Sequence, residues 1–245
     1  MDKVAFIPLR AGGSRVGFVG GVDKERAELG GHPLMAWTIR AAIDSGIFDK
    51  VFAVVKSPEH MAMAKEYGAE VLERPGYTTE PYSPDIEWVL SALKKLLENK
   101  EWPRIYSILR VTSPFRTAEH IKEADKQFGM SFADSLRTVT PVSQHPGKMW
   151  IIQHTSMLPL LPFSNDKGPW HSNPTQELPE VYIQTAGMEM AASSMTLSTK
   201  TISGSRIWPY VVSGPAALDI NTRFDWDMAE KMVENRMVEL PESLK

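Results

Sequence analysis

Leu9-Arg10-Ala11-Gly12-Gly13-Ser14-Arg15, continued by Gly17, Gly20, Gly21 and Lys24, combines bare backbone amides with positive charge near the start of the chain. Glycines carry no Cβ to keep an anion away from the amides, and Arg10, Arg15 and Lys24 supply the charge to hold a polyphosphate. Two familiar alternatives lose their fingerprints. No G-x-G-x-x-G occurs and no glycine precedes a Lys-Ser/Thr pair, so neither dinucleotide binding nor Walker-type hydrolysis is indicated.

Asp219 and Asn221 stand two apart far along the chain. If the segment from Tyr210 to Asn221 is a strand, both side chains leave one face, as a metal pair must. Asp225, three residues after Thr222, is expected to complete a helix capping box. The chain has no cysteine, which removes disulfides, thiolate nucleophiles and cysteine-ligated metals together. His32, His60, His120, His145, His154 and His171 never recur at three- or four-residue spacing, so no helix presents two imidazoles on one face.

Positioning these groups requires a regular scaffold, and the first half of the chain predicts one. Val4 to Pro8, Val51 to Val55, Ala69 to Leu72 and Ile105 to Val111 are short apolar or β-branched runs that predict strands. Between and after them, Leu34 to Ile43, Met61 to Tyr67, Ile86 to Leu97 and Ala118 to Phe128 repeat apolar residues at helical spacing, the first two ended by Gly46 and Gly68. Such alternation with short links predicts right-handed βαβ units, a mainly parallel sheet covered on both faces, and ligands at the carboxyl ends of the strands. From about Ser143 to Glu180 the pattern dissolves into Pro, His, Trp and Ser, a length that predicts an inserted arm or flap. Strands return over Glu180 to Ile183 and Tyr210 to Ser213, and a helix is expected from Asp225 to Val238.

The 245 residues are 42% hydrophobic and 23% charged, with a net charge of −3. Those values fit a globular protein and argue against binding nucleic acid or an anionic membrane through bulk charge. No apolar run approaches the ~18–20 residues of a membrane helix, and Val4 to Leu9 is too short for a signal-peptide core. A cytoplasmic location is expected.

Ile7-Pro-Leu-Arg-Ala-Gly-Gly-Ser-Arg15, then Lys24, then Leu29-Gly-Gly-His-Pro-Leu-Met-Ala-Trp-Thr-Ile39, resembles the opening of the acylneuraminate cytidylyltransferases, which make CMP-sialic acid and related CMP-sugars. Further matches follow in order: Glu73-Arg-Pro75, Val111-Thr-Ser-Pro-Phe-Arg-Thr117, Asp134-Ser135, Gln176-Glu-Leu-Pro-Glu-Val-Tyr182 and Leu218-Asp-Ile-Asn-Thr222. The resemblance spans nearly the whole chain and is weakest in the 143–180 arm. It implies one α/β nucleotidyltransferase domain over 1–245, a three-layer Rossmann-like sheet, and a homodimer in which the arm takes part. The implied chemistry is magnesium-dependent attack by an acceptor oxygen on the α-phosphate of CTP, with pyrophosphate released.

Carried over singly, the resemblance assigns the nucleotide to Leu9, Arg10, Ala11, Gly12, Gly13, Ser14, Arg15, Lys24 and Arg74. It assigns catalysis to Arg10, Lys24 and Asp219, and magnesium to Asp219 and Asn221. Acceptor binding falls to Arg110, Ser113, Arg116, Gln176 and Tyr182. Arg110 replaces a glutamine common in sialate-activating relatives, and an arginine at a strand's carboxyl end can grip a carboxylate, phosphate or phosphonate. An acidic acceptor is therefore expected, either a sialic-type sugar or a small phosphonate or phosphorylated metabolite. Glu25 stands where the family has asparagine, and Asn221 where many relatives have aspartate, so a nucleotide-binding module without catalysis is the alternative of a different class. Trp170 and His171 in the arm either pack or line an acceptor pocket of another subunit.

Overall fold

The computed structural model describes residues 1–10, 22–80 and 82–245. Its centre is a sheet of strands β1 (Lys3–Pro8), β2 (Lys50–Val55), β3 (Glu70–Glu73), β4 (Ile105–Ile108), β5 (Ser135–Pro141), β6 (Tyr182–Ala192) and β7 (Ile207–Val211). Among the described residues these seven run in the order β7-β5-β6-β4-β1-β2-β3. All neighbouring pairs are parallel except those of β6, which is antiparallel to both β4 and β5. The expected mainly parallel α/β sheet is present, with one reversed strand.

Alternation along β1 shows why the sheet is covered on both faces. Ala5 and Ile7 pack into one apolar cluster with α1 (Leu34–Ser45), α4 (Ala118–Met130) and α6 (Arg223–Glu234). Val4 and Phe6 face the opposite cluster, where Trp88, Val89, Leu93 and Leu96 of α3 (Asp85–Glu98) meet them. Period-two alternation in a wholly apolar run is what a strand buried on both sides requires. Two shorter helices, α2 (Pro58–Glu66) and α5 (Ser193–Thr199), are also present among the described residues. Gly46 ends α1 at φ 66° and Gly68 follows α2 at φ 92°, left-handed conformations that suit glycine at a helix end.

Several boundaries differ from the sequence expectation. The strand expected to reach Val111 ends at Ile108, and the closing helix runs Arg223–Glu234 rather than 225–238. β5 and α5 have no counterpart in the sequence reading, because Ser-Leu-Arg-Thr-Val-Thr-Pro mixes polar residues into its alternation and α5 is only seven residues long. The segment 210–221 is not one strand: β7 stops at Val211 and a 3-10 turn over Gly214–Ala217 intervenes. The 143–180 arm contains two small hairpins, Trp150–Gln153 with Ser156–Pro159 and Ser164–Asn165 with Gly168–Pro169. No helix among the described residues is long and apolar enough to cross a membrane.

Candidate active site

The order in which strands are added reverses between the parallel neighbours β1 and β4, since β2 and β3 build outward on one side and β4 lies on the other. This is where an open α/β sheet offers a crevice at its carboxyl ends. Three strands deliver arginines there. Arg10 lies two residues past β1, Arg74 directly follows β3, and Arg110 lies two residues past β4. Backbone bonds fix these exits, Leu9 N to Val54 O at 3.0 Å, Arg74 N to Val55 O at 2.9 Å and Leu109 N to Phe6 O at 2.9 Å.

Lys24 and Glu25 arrive on a turn that also solves a problem for α1. That helix starts after Pro33 with no side-chain cap, leaving its first amides in need of acceptors. Leu34 N donates to Ala27 O at 2.9 Å and Met35 N to Glu25 O at 3.0 Å, so the turn is bound to the helix start. Asp219 and Asn221 come from the loop before α6, where Ile220 N donates to Thr112 O at 2.8 Å and Lys24 Nζ donates to Ile220 O at 3.2 Å. Thr222 and Asp225 form the expected capping box at the start of α6.

Arg10, Lys24, Arg74, Arg110, Asp219 and Asn221 together line one cavity of about 540 Å³, with Glu25, Asp85, Thr112 and Gln184 to Ala186 among the other walls. The size suits a nucleotide-scale ligand. Arg74 is buried; its Nη2 donates to Thr78 O at 2.7 Å and its guanidinium lies 5.5 Å from the Trp88 ring. Burial, and then repulsion from Arg10, push its pKa down to about 10. Crowded cations facing a solvent-filled space favour an anionic ligand.

Arg110 has partners that the sequence reading did not anticipate. Its Nη2 donates to Asp85 Oδ2 at 2.8 Å and to Glu189 Oε1 at 2.6 Å, and Glu189 also pairs with Arg137 at 2.7 Å. Burial alone would lower the Arg110 pKa, but the two carboxylates hold it above its ordinary value. Burial likewise opposes ionisation of Asp85, yet Arg110 keeps its carboxyl below the usual range. An acidic acceptor would have to meet the other guanidinium nitrogens. A lone glutamate inside Met188-Glu189-Met190-Ala191 was the available signal, because an acid in an apolar strand is rarely unpaired.

Asp219 supports a hard divalent cation better than a turn cap. Its Oδ1 is buried and has no hydrogen-bond partner among the described residues, while Oδ2 accepts from Asn221 Nδ2 at 2.7 Å. The two residues are neighbours as expected, but a loop places them together rather than one face of a strand. Oxygen donors of this kind suit magnesium, with Asp219 supplying the charge.

Other assigned residues lie elsewhere. Leu9 is in the core. Ser113 is buried behind the Arg110 turn, its Oγ unpartnered among the described residues. Arg116 is buried with Nη1 on the carbonyls of Arg110 and Gly187, and burial pushes its pKa down to about 9. Gln176 is exposed on a 3-10 turn of the arm, and exposed Tyr182 donates to Glu180 Oε2 at 3.1 Å. None of these five lines the cavity. Ala11, Gly12, Gly13, Ser14 and Arg15 lie outside the described residues.

A cationic crevice where the strand order of a mainly parallel sheet reverses, with an aspartate opposite, is the kind of place in an α/β fold that suits an anionic ligand. The family model described as cytidylyltransferase matches residues 4–146, and the chain belongs to that family. The N-acylneuraminate cytidylyltransferase of Streptococcus agalactiae serotype III is 28% identical over 228 residues, covering 92% of this chain and 52% of that protein. The CMP-N,N'-diacetyllegionaminic acid synthase of Legionella pneumophila is 27% identical over 240 residues, covering 96% of this chain and 97% of that protein. The chain thus spans about half the length of several curated relatives it matches, and nearly all of another. Among solved structures, a CMP:2-keto-3-deoxy-manno-octonic acid synthetase complexed with CTP aligns with TM-score 0.68 at 12% identity, over 96% of this chain and 100% of that one, which establishes the fold. The acylneuraminate resemblance drawn from the motifs is borne out by the family match and these relatives.

Proposed function

We propose that this chain transfers CMP from CTP to an acidic sugar of the sialic type. The acceptor oxygen bonds to the α-phosphorus, and pyrophosphate leaves. The carrying observation is the convergence of Arg10, Lys24 and Arg74 with Asp219 on one cavity. Phosphoryl-type transfer asks a protein mainly to align groups and offset charge, and these residues are equipped for both. Arg10, Lys24 and Arg74 hold the triphosphate, and Asp219, with Asn221 beside it, holds a magnesium ion. When bound, that ion supplies charge neutralisation on the phosphates. Arg110, braced by Glu189, and Asp85 form the wall that an acceptor meets, with Thr185 and Ala186 of β6 nearby.

A homodimer belongs to this proposal. The arm exposes Ile151, Ile152, Met157, Leu158 and Phe163, a concentration of apolar surface that favours association. Gln176 and Tyr182 lie on or beside the same segment, so their acceptor role is proposed toward the site of a second copy.

Incubation with CTP, magnesium and a panel of nonulosonic acids, octulosonic acids and small phosphonates tests the reaction by pyrophosphate release. Turnover of a nonulosonic acid is expected, whereas preference for a phosphonate would replace the acceptor class. Absence of turnover with any nucleoside triphosphate, despite tight CTP binding in calorimetry, would leave a binding module instead of an enzyme.

A further inference from the structure

Asp23, Glu25 and His60 come from two separate segments and meet where Glu25 lines the cavity. One ligand atom from each lies within 4.8 Å of the others, and all three residues are buried. We infer that Asp23, Glu25 and His60 form a binding site for a divalent first-row transition ion, separate from the Asp219 position.

The second observation is Glu25 itself. It is 5% exposed, and its Oε2 is buried without a hydrogen-bond partner among the described residues. A buried carboxylate oxygen left unpaired is costly, and a cation relieves that cost. The other two groups are already oriented. His60 Nε2 lies 3.0 Å from Asp23 Oδ1, a separation adjacent ligands of one ion can keep, and His60 Nδ1 lies 3.0 Å from Ser57 Oγ. With Nδ1 donating to Ser57, a cation would take the place of the hydrogen that Nε2 shares with Asp23 Oδ1, the outer-shell arrangement common for histidine ligands. Arg26 Nε donates to Asp23 Oδ2 at 2.7 Å and fixes the far side of that carboxylate.

Bonds of about 2.1 Å bring ligand atoms to roughly 3–3.5 Å of one another, which asks for at most a small inward adjustment of atoms that already lie within 4.8 Å. One imidazole with two carboxylates favours manganese, cobalt or zinc over calcium or magnesium. Glu25 also lines the large cavity, so the ion would face it. This part rests on the nucleotide reading: a bare carboxylate beside a triphosphate is repulsive, and a divalent ion there reverses the sign.

Titration of the full chain, stripped of metal by chelator and dialysed, with cobalt(II) followed by visible absorption tests the site without nucleotide. One cobalt per chain is expected, with an absorption band distinct from that of the aquo ion. Glu25→Gln and His60→Gln should each weaken binding at least about 100-fold, since losing even an outer-shell partner costs about 10–100-fold. Asp219→Asn should leave cobalt affinity unchanged. Because His60 is buried and its variant can misfold, Glu25→Gln, which keeps size and shape, decides the matter. Absence of cobalt binding at millimolar concentration overturns the site, as does binding that survives Glu25→Gln but disappears in Asp219→Asn. Neither result touches CTP turnover, which tests the nucleotide reading separately.

Discussion

Arg110 donates to Glu189 at 2.6 Å, and the Glu189 side chain is only 4% exposed. A buried carboxylate that loses a cationic partner retains its desolvation penalty. Arg137 still pairs with it, so the penalty in Arg110→Gln is partial. We expect that variant to lose about 1.5–3 kcal/mol of stability, the worth of a charged hydrogen bond. The acceptor KM should rise while the CTP KM stays near wild type. Chemical denaturation and steady-state kinetics check the two parts, and an unchanged acceptor KM would remove Arg110 from acceptor binding.

Arg10 and Arg74 share the cavity, and Arg10 helps hold the Arg74 pKa down. A triphosphate would relieve that repulsion, so truncating either end of the cationic set should act on nucleotide first. Arg10→Ala and Lys24→Ala are each expected to raise the CTP KM by roughly 10-fold or more, from the loss of about 1.5–3 kcal/mol per charged contact. Equal losses for both substrates would refute the division between triphosphate and acceptor ends. Arg10→Ala should also raise the Arg74 pKa toward its ordinary value.

Much of this site was visible in the sequence because strand ends announce themselves. β1, β2 and β4 are short apolar runs, and the residues that follow such runs in a parallel sheet face the crevice, so Arg10 and Arg110 could be placed without coordinates. The partners of Arg110 could not. Asp85 and Glu189 stand 25 and 79 residues away, and sequence spacing carries no information about such pairings. β5 was hidden because Arg137 and the threonines interrupt its apolar alternation. The continuation of β6 past its register shift between Gln184 and Glu189 was hidden for a related reason: an irregular strand has no period to detect. Asp219 and Asn221 are neighbours as expected, but for a different reason, since the loop is held by Thr112 and Asp225 and not by a strand's pleat.

Asp219 has a buried oxygen without a partner, next to Asn221. Asp219→Asn keeps the shape and removes the charge, so turnover should fall by at least about 100-fold, some 2.7 kcal/mol in barrier. Calorimetric binding of CTP without magnesium should change little, because the aspartate acts through the ion. Turnover within a few fold of wild type would move the magnesium ligand elsewhere.

Asp225 holds that loop, and its effect on stability has a definite sign with pH. Its Oδ2 accepts from Asn221 N at 2.9 Å, Thr222 N at 2.7 Å and Thr222 Oγ1 at 2.8 Å. Burial opposes ionisation, but these donors and the charge of Lys24 hold the carboxyl below its ordinary value. A depressed folded-state pKa means that the stabilisation is fully present above the unfolded value of about 3.9 and is lost as pH falls through the folded value. Asp225→Asn should therefore be less stable than wild type at neutral pH by about 1 kcal/mol, the usual worth of a helix cap. As pH falls from about 4 through that lower folded value the two unfolding curves should converge, because the wild-type carboxylate then becomes protonated as well. Turnover should fall at neutral pH along with stability, since Asn221 N loses the bond that orients it beside Asp219. A variant whose stability stays parallel to wild type from pH 7 to pH 3 would show that the carboxylate's charge does not hold the loop.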